Sequence, residues 1–235
     1  MKQLLFALLV AVLFIAPGCK KVFPDGPAVK EERVVADFTK IEAAFSGDVE
    51  FIQSASKGVQ VEAAQNIQHY IITEVKGNTL ILKTKPNVNI RGGSVTVYVS
   101  NPGLAGATLS GSGNISVKSE ITGDDMDLRI SGRGNIYLPK LAATSLNAQI
   151  TGSGNIEING GATNAQDITI TGNGNYRAQP MRSEHAKVKV TGSGEARVWA
   201  ENSLNIQISG SGDVWYAGNP AINTSISGSG KVRKL

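Results

Sequence analysis

Apolar and polar residues alternate over short stretches in the C-terminal half of the chain, and glycine-rich turns separate these stretches. Residues 128–130 (LRI), 168–170 (ITI) and 188–190 (VKV) each precede such a turn, and residues 156–158 (IEI) follow one. A period of two with β-branched residues predicts strands that bury one face. The C-terminal half is therefore predicted to consist of short, half-buried strands.

The turns themselves form a repeat. Seven copies share an apolar residue, Ser or Thr, Gly-x-Gly and a polar residue, as in residues 109–115 (LSGSGNI) and 150–156 (ITGSGNI). Successive first glycines are 21, 20, 20, 20, 18 and 18 residues apart. A strand-only repeat of this length is too short for a propeller blade and predicts an all-β β-solenoid with about 20 residues per rung. The predicted structural corner glycines are Gly111, Gly113, Gly132, Gly134, Gly152, Gly154, Gly172, Gly174, Gly192, Gly194, Gly210, Gly212, Gly228 and Gly230.

Glycine suits these corners because it adopts positive φ freely and lets stacked backbones approach closely. The position after each corner would stack into a column as well. Four asparagines in that column predict a ladder of side-chain amides, a device that stabilises in-register stacks. The column reads Asn114, Asn135, Asn155, Asn175, Glu195, Asp213 and Lys231.

The N-terminal residues have the pattern of an export signal. Thirteen apolar residues, 4–16, follow a basic start and are too few to span the membrane, so residues 1–18 are a predicted signal peptide. Small residues precede Cys19, which resembles the lipobox of bacterial lipoproteins, and Cys19 is the predicted lipidation site and membrane anchor. The alternative is an ordinary signal peptide with an incidental cysteine. Residues 19–33 are a predicted lipidated tether.

The rest of the chain divides into two regions. Residues 34–105 alternate less regularly, and residues 45–49 (FSGDV) look like a degenerate corner. We expect this N-terminal β region to continue or cap the solenoid, because an open end would expose an unpaired edge. Residues 106–235 form the predicted seven-repeat solenoid.

Composition narrows the function classes. Charged residues make up 18% of the chain, the net charge is +4, and Lys and Arg are scattered, so nucleic acid is not an expected partner. A single cysteine excludes an intrachain disulfide and a multi-thiolate metal site. Apolar residues at 41% exclude a disordered chain.

Few residues suggest catalysis. The sequence after each Gly-x-Gly continues as strand, so these turns are not a dinucleotide fingerprint. No Gly-x-Ser-x-Gly elbow occurs, and His69 and His185 lie in unrelated contexts. Asp125, Asp127 and Arg129 alternate outward, and we interpret them as a solvated polar face, with a sugar or lyase site as the alternative.

A cation site is a further alternative at Glu195 and Asp213, which would stack on neighbouring rungs. Arg197 and Lys231 can neutralise these two carboxylates, so we expect no metal. We accordingly predict no catalytic residue, no metal and no cofactor.

The other outer face has a candidate binding surface. If residues alternate inward and outward after each corner, the outward column contains Ser116, Tyr137, Glu157, Arg177, Arg197 and Trp215. Trp199 takes the second outward position of its rung, diagonal to Trp215. Aromatic rings with guanidinium groups suit a glycan or a protein ligand, and the candidate residues are Tyr137, Arg177, Arg197, Trp199 and Trp215. A subunit contact, or rings covered by the chain terminus, is the alternative.

The lipoprotein-like start, residues 95–115 (VTVYVSNPGLAGATLSGSGNI) and the serial GSG-N corners resemble the auto-transporter adhesin, head GIN domain family. The resemblance covers roughly residues 36–235. It implies a single-stranded, right-handed β-helix of pectin-lyase-like shape, no established catalytic site, and adhesion as the suggested role.

Together these observations predict a non-enzymatic adhesin or interaction scaffold, a bacterial outer membrane lipoprotein that faces the periplasm or the cell surface. One alternative is a carbohydrate-binding or polysaccharide-lyase-like β-helix, and another is a structural or regulatory envelope protein. Charges in residues 231–234 discourage edge pairing, so we expect a monomer or a weak oligomer.

Overall fold

The computed structural model describes residues 19–235; the predicted signal peptide, residues 1–18, lies outside the described residues. The structure confirms an all-β β-solenoid with roughly 20 residues per rung. Among the described residues the one helical element is a 3₁₀ turn, η1 (Gln68–Tyr70), and no helix there is long and apolar enough to cross a membrane.

Twenty-three strands are numbered in chain order. They are β1 (Lys20–Val22), β2 (Ala28–Glu32), β3 (Lys40–Ala44), β4 (Asp48–Gln53), β5 (Gly58–Ala64), β6 (Ile71–Lys76), β7 (Thr79–Thr84), β8 (Val88–Ile90), β9 (Thr96–Asn101), β10 (Gly106–Leu109), β11 (Asn114–Val117), β12 (Ile121–Gly132), β13 (Asn135–Leu138), β14 (Leu141–Gly152), β15 (Asn155–Ile158), β16 (Gly161–Gly172), β17 (Asn175–Arg177), β18 (Arg182–Gly192), β19 (Glu195–Trp199), β20 (Ser203–Gly210), β21 (Asp213–Ala217), β22 (Ala221–Gly228) and β23 (Val232–Lys234).

Two long sheets form the walls of the solenoid. The ten-stranded sheet has the order β22-β20-β18-β16-β14-β12-β10-β3-β7-β6, and the eleven-stranded sheet has the order β2-β5-β9-β4-β11-β13-β15-β17-β19-β21-β23. From β10 onward every rung contributes one strand to each sheet, and all neighbours are parallel. The Gly-x-Gly corner joins the two strands of a rung.

The core lies between the sheets and repeats from rung to rung. In one rung Leu128, Ile136 and Leu138 have no exposed surface and Ile130 is also buried. Arg129 and Tyr137, which alternate with these residues, are exposed. A fully buried aliphatic side chain contributes roughly 1.5–3 kcal/mol. A register slip by one residue would turn this whole set to solvent, so the alternating pattern fixes the register.

The two glycines of a corner are needed for different reasons. Six of the seven first glycines have positive φ, between +115° at Gly172 and +147° at Gly132; Gly111 is the exception. The second glycines have no positive φ, but a Cβ there would overlap the rung below. At Gly174, for example, it would lie 2.5 Å from Cγ2 of Ile150. The first glycine therefore supplies the turn, and the second permits close stacking.

Replacement of Gly192 by alanine tests the first position. Its φ is +118°, and an added Cβ would lie 2.5 Å from the carbonyl oxygen of Gly172. We expect Gly192→Ala to lower the free energy of unfolding by about 2–4 kcal/mol, as measured by urea denaturation. The matched control is Gly123→Ala, because Gly123 has no positive φ and an added Cβ would meet nothing within 4 Å. Equal losses in the two variants would contradict this assignment.

The asparagine column is an amide ladder, as predicted. The side-chain nitrogen of each asparagine donates to the side-chain oxygen of the previous one, at 2.9 Å for Asn135 to Asn114, 2.7 Å for Asn155 to Asn135 and 2.8 Å for Asn175 to Asn155. Asn114 donates to Asp48 at the start of the ladder, at 2.8 Å. The backbone N–H of the next rung donates to the Asn175 side-chain oxygen at the other end, at 3.2 Å.

Removal of one amide tests the ladder. We expect Asn175→Ala to lower the free energy of unfolding by roughly 1 kcal/mol, because it removes one donor and one acceptor of the ladder at a half-buried position. Asn173 lies two residues away between the glycines of the same corner, is exposed, and takes no part in the ladder. Thermal denaturation of Asn175→Ala and Asn173→Ala compares the two sites, and a ladder that stabilises nothing would give equal melting temperatures.

Residues 34–105 both extend and close the solenoid. Strands β3 and β4 form a rung directly below β10 and β11, and β7 and β9 form the rung below that. Beyond these rungs, β6, β5 and β2 pair antiparallel and end the stack. The corner at residues 45–49 stacks under the first repeat, with Phe45 beneath Gly111 and Gly47 beneath Gly113.

Residues 19–33 differ from the predicted tether. Strand β1 pairs in parallel with β8, and β2 pairs antiparallel with β5. Val22 is buried, and the side chain of Gln68 donates to the carbonyl of Val29 at 2.6 Å. The segment therefore packs on the fold because it supplies strand edges with partners, in spite of its prolines and glycine.

Candidate binding surface

The outer face of the eleven-stranded sheet carries the predicted column of outward residues. Neighbours in this column are Cα partners in register, and the residue before each of them is buried, except Val232 before Arg233, which is partly buried. The column runs Ser116, Tyr137, Glu157, Arg177, Arg197, Trp215 and Arg233. The alternation of inward and outward residues thus places the candidate residues on the face that the sequence predicts.

Trp215 lies between two arginines. Arg197 is its partner on the rung before and Arg233 on the rung after, with guanidinium carbons 5.8 and 4.9 Å from the indole centroid. The indole N–H donates to Glu195 Oε2 at 3.1 Å. The ring is half-buried, and guanidinium groups flank it from both neighbouring rungs.

Trp199 has the same kind of environment from a different source. Arg182 places its guanidinium carbon 4.8 Å from the indole centroid, and the indole N–H donates to Glu201 Oε1 at 2.7 Å. Arg182 follows a turn in which the Met181 N–H donates to the Ala178 carbonyl. The sequence analysis missed Arg182, because it begins a strand of the other sheet and no period links it to Trp199.

We call these six residues the Trp–Arg surface, and they are Arg177, Arg182, Arg197, Trp199, Trp215 and Arg233. Arg177 is exposed one rung before Arg197, and no carboxylate among the described residues lies within 4.0 Å of it. Glu195 accepts a hydrogen bond from Arg197 Nε at 2.7 Å, which raises the pKa of that guanidinium further above its usual range. The surface therefore keeps fixed positive charge at any physiological pH.

Tyr137 does not join this surface. It lies four rungs from Trp215 in the column, which is about 19 Å at the spacing of strands in a sheet. Its hydroxyl is 3.4 Å from the side-chain nitrogen of Asn159. Of the predicted binding residues, the structure thus brings together two tryptophans and two arginines and leaves the tyrosine apart.

A buried polar network supports Trp199 from inside the solenoid. The Gln166 side chain accepts from the Tyr176 hydroxyl at 2.9 Å and donates to Ser183 Oγ at 2.7 Å and to the Trp199 carbonyl at 2.9 Å. Ser183 also donates to that carbonyl. Burial raises the pKa of Tyr176, so it stays protonated as a donor. The network fixes the backbone of Trp199, and these core residues gave no signal in the sequence because single polar residues in strands are common.

Guanidinium groups against the indole faces determine what the surface can bind. A neutral sugar that stacks on an aromatic ring needs a bare ring face, whereas the arginine forks suit carboxylate, sulfate or phosphate groups. The guanidinium carbons of Arg182, Arg197 and Arg233 lie 4.8–5.8 Å from the indole centroids, within the range of cation–π attraction. Glu195 pairs with Arg197, and Glu201 lies 3.9 Å from Arg182, whereas Arg177 and Arg233 have no carboxylate within 4.0 Å among residues 19–235.

The candidate catalytic groups are engaged with one another. Arg129 binds Asp127 at 2.8 Å, and Ser145 donates to Asp125 at 2.5 Å, so these carboxylates have protein partners. His185 Nδ1 lies 2.8 Å from Ser203 Oγ, but the nearby Asp167 pairs with Lys187 instead. Among residues 19–235, no group of three or more His, Cys, Asp or Glu side chains could hold a metal ion.

Comparison with known proteins adds to this geometry. The family model described as "Putative auto-transporter adhesin, head GIN domain" matches residues 37–220. No curated protein matches the chain.

Solved structures share the fold over nearly the whole chain. A putative adhesin of Bacteroides fragilis NCTC 9343 is 25% identical, with a TM-score of 0.85 over 91% of this chain and 100% of that chain. A putative adhesin of Parabacteroides distasonis ATCC 8503 is 27% identical, with a TM-score of 0.73 over 92% and 100%. A putative lipid binding protein of the same organism is 25% identical, with a TM-score of 0.77 over 92% and 100%.

Proposed function

The chain belongs to the auto-transporter adhesin, head GIN domain family, and we propose that it is a lipid-anchored, non-catalytic adhesin of the bacterial envelope. In this proposal the Trp–Arg surface binds a ligand rich in acidic groups, such as an acidic glycan. The observation that carries the proposal is the stack of Arg197, Trp215 and Arg233 on three successive rungs.

Two further observations support this proposal. The structural neighbours include putative adhesins of Bacteroides and Parabacteroides, and adhesion needs an exposed surface rather than a reactive centre. The sequence before Cys19 has the pattern of a lipoprotein signal, and Cys19 is exposed. An acylated Cys19 would keep the protein on the outer membrane, and the adhesin proposal requires that it face the cell surface.

Alanine at both tryptophans tests the surface. We expect Trp199→Ala with Trp215→Ala to weaken binding of the purified protein to acidic glycans on an array by more than about 30-fold, because each ring orients flanking arginines. Tyr137→Ala is the matched control, since it removes an exposed aromatic residue of the same column outside the surface. If the double variant folded and bound the glycans as tightly as the unchanged protein, the Trp–Arg surface would not be the ligand-binding site.

The same binding assay distinguishes the contribution of the arginine charges from that of the tryptophan rings. Arg182→Gln with Arg233→Gln leaves both tryptophans in place and removes two exposed guanidinium groups. We expect this variant to bind acidic glycans more weakly, as the tryptophan variant does. If it instead bound them as tightly as the unchanged protein, neither Arg182 nor Arg233 would contact the ligand.

Protease treatment of intact cells tests the location. A surface adhesin should be digested from outside while a periplasmic control protein survives. Protection of this protein in cells whose known surface proteins are digested would contradict the adhesin proposal and favour a structural role inside the envelope.

A further inference from the structure

The strand that follows Cys19, β1, is held on the folded chain by backbone pairing with β8. Lys20, Lys21 and Val22 pair with the three residues of β8. The Lys20 N–H donates to the Asn87 carbonyl at 2.8 Å, and the Arg91 N–H donates to the Val22 carbonyl at 2.9 Å. Cys19 itself borders a cavity of about 410 Å³ together with residues of β8 and the glycines that follow it.

Side chains hold the same segment from its other end. Asn66 donates to the Phe23 carbonyl at 2.9 Å and accepts from the Asp25 N–H at 3.0 Å. Pro24 packs so closely on Gly93 that a Cβ at this glycine would overlap the proline ring. The position of Cys19 relative to the solenoid is therefore fixed, because the residues that follow it pair with the fold and do not form a flexible linker.

The surface around Cys19 is basic and has one exposed aromatic residue. Lys20, Lys21, Lys85 and Arg91 are exposed, and residues 19–25 and 85–93 contain one acidic residue, Asp25. Within the described chain no carboxylate lies within 4.0 Å of these four cations; Lys20 Nζ donates to the neutral Tyr70 hydroxyl. Phe23 is 65% exposed, four residues after the predicted acylation site.

We propose that this basic surface, made of Lys21, Phe23, Lys85 and Arg91, lies against the anionic headgroups of the bilayer that anchors Cys19. Cations beside an acyl chain add an attraction to anionic lipid, and an exposed aromatic ring inserts at the level of the headgroups. The proposal rests on the lipid anchor of the proposed function.

Such docking orients the whole molecule. Strand β8 connects β7 to β9 along the chain and pairs with β1 in a separate two-stranded sheet, and β9 is seven strand spacings from β21 in the eleven-stranded sheet. At about 4.8 Å per spacing, the rung of Trp215 lies roughly 34 Å along the stack from the rung of β9, which directly follows β8. The anchored end and the ligand-binding end of the solenoid are then opposite ends.

Energy transfer from single labels to dyes on lipid headgroups tests the orientation. Cys19 is the only cysteine, and acylation uses its thiol, so Ser94→Cys and Ser229→Cys each introduce one label, at exposed positions near and far from β8. The acylated mature protein is placed in vesicles of phosphatidylcholine and phosphatidylglycerol. We expect strong transfer from the label at position 94 and weak transfer from the label at position 229. Equal transfer from the two positions would overturn the proposal.

Charge variants test the headgroup contact. Lys21→Gln with Arg91→Gln removes two cations that make no side-chain bond among the described residues, and Arg133→Gln with Lys189→Gln is the control with the same charge loss elsewhere. We expect the first pair to weaken docking about 25-fold, at about fivefold per cation, and the control pair to leave transfer unchanged. Unchanged transfer in the first pair, or equal losses in both, would overturn the contact.

The mass of the N-terminal peptide separates this proposal from the lipid anchor. If the mass of this peptide shows that Cys19 is acylated, the lipid anchor is established, whatever the orientation of the molecule on the membrane. If Cys19 carries no acyl chain, the anchor fails on its own, and sedimentation with vesicles then tests the basic surface directly. Retention on phosphatidylglycerol vesicles but not on phosphatidylcholine would support the surface, and equal sedimentation with both would overturn it.

Discussion

Close stacking of successive corners is the constraint on which the rest of the structure depends. Backbones about 4.8 Å apart leave no room for a Cβ at the second glycine, and the first glycine needs positive φ to turn the chain. Once the corners stack in register, every position of a rung lies above the same position of the rung before. The aliphatic core, the amide ladder and the outward columns all follow from this one alignment.

The same alignment turns sequence differences into local chemistry. Rungs with neutral residues in the outward column offer little to bind, whereas the rungs of β19, β21 and β23 place an arginine, a tryptophan and an arginine in line. Because the strands are parallel and unshifted, the guanidinium groups meet the indole faces without any loop to position them. The ligand-binding proposal therefore depends on three residues in consecutive rungs of a rigid wall.

Much of this could be predicted from the sequence, since period-two alternation and a 20-residue repeat determine the sheets, the register and the outward column. Two parts could not. Arg182 reaches Trp199 from the opposite sheet, a contact that no local pattern encodes. Residues 19–33 contain Pro24 and Gly26, which suggested a tether, yet the open edges of β8 and β5 offer backbone partners that only the folded N-terminal half presents.

The N-terminal and C-terminal rungs of the solenoid thus differ in chemistry, because a basic, cysteine-bearing segment packs on the first rungs and arginines flank tryptophans on the last ones. The central claim is that the last rungs recognise acidic groups. A salt titration of binding to an array of acidic and neutral glycans tests it most directly, because screening weakens contacts between exposed charges. The account predicts selective binding of acidic glycans that declines as salt rises, and binding of neutral glycans that is insensitive to salt would contradict it.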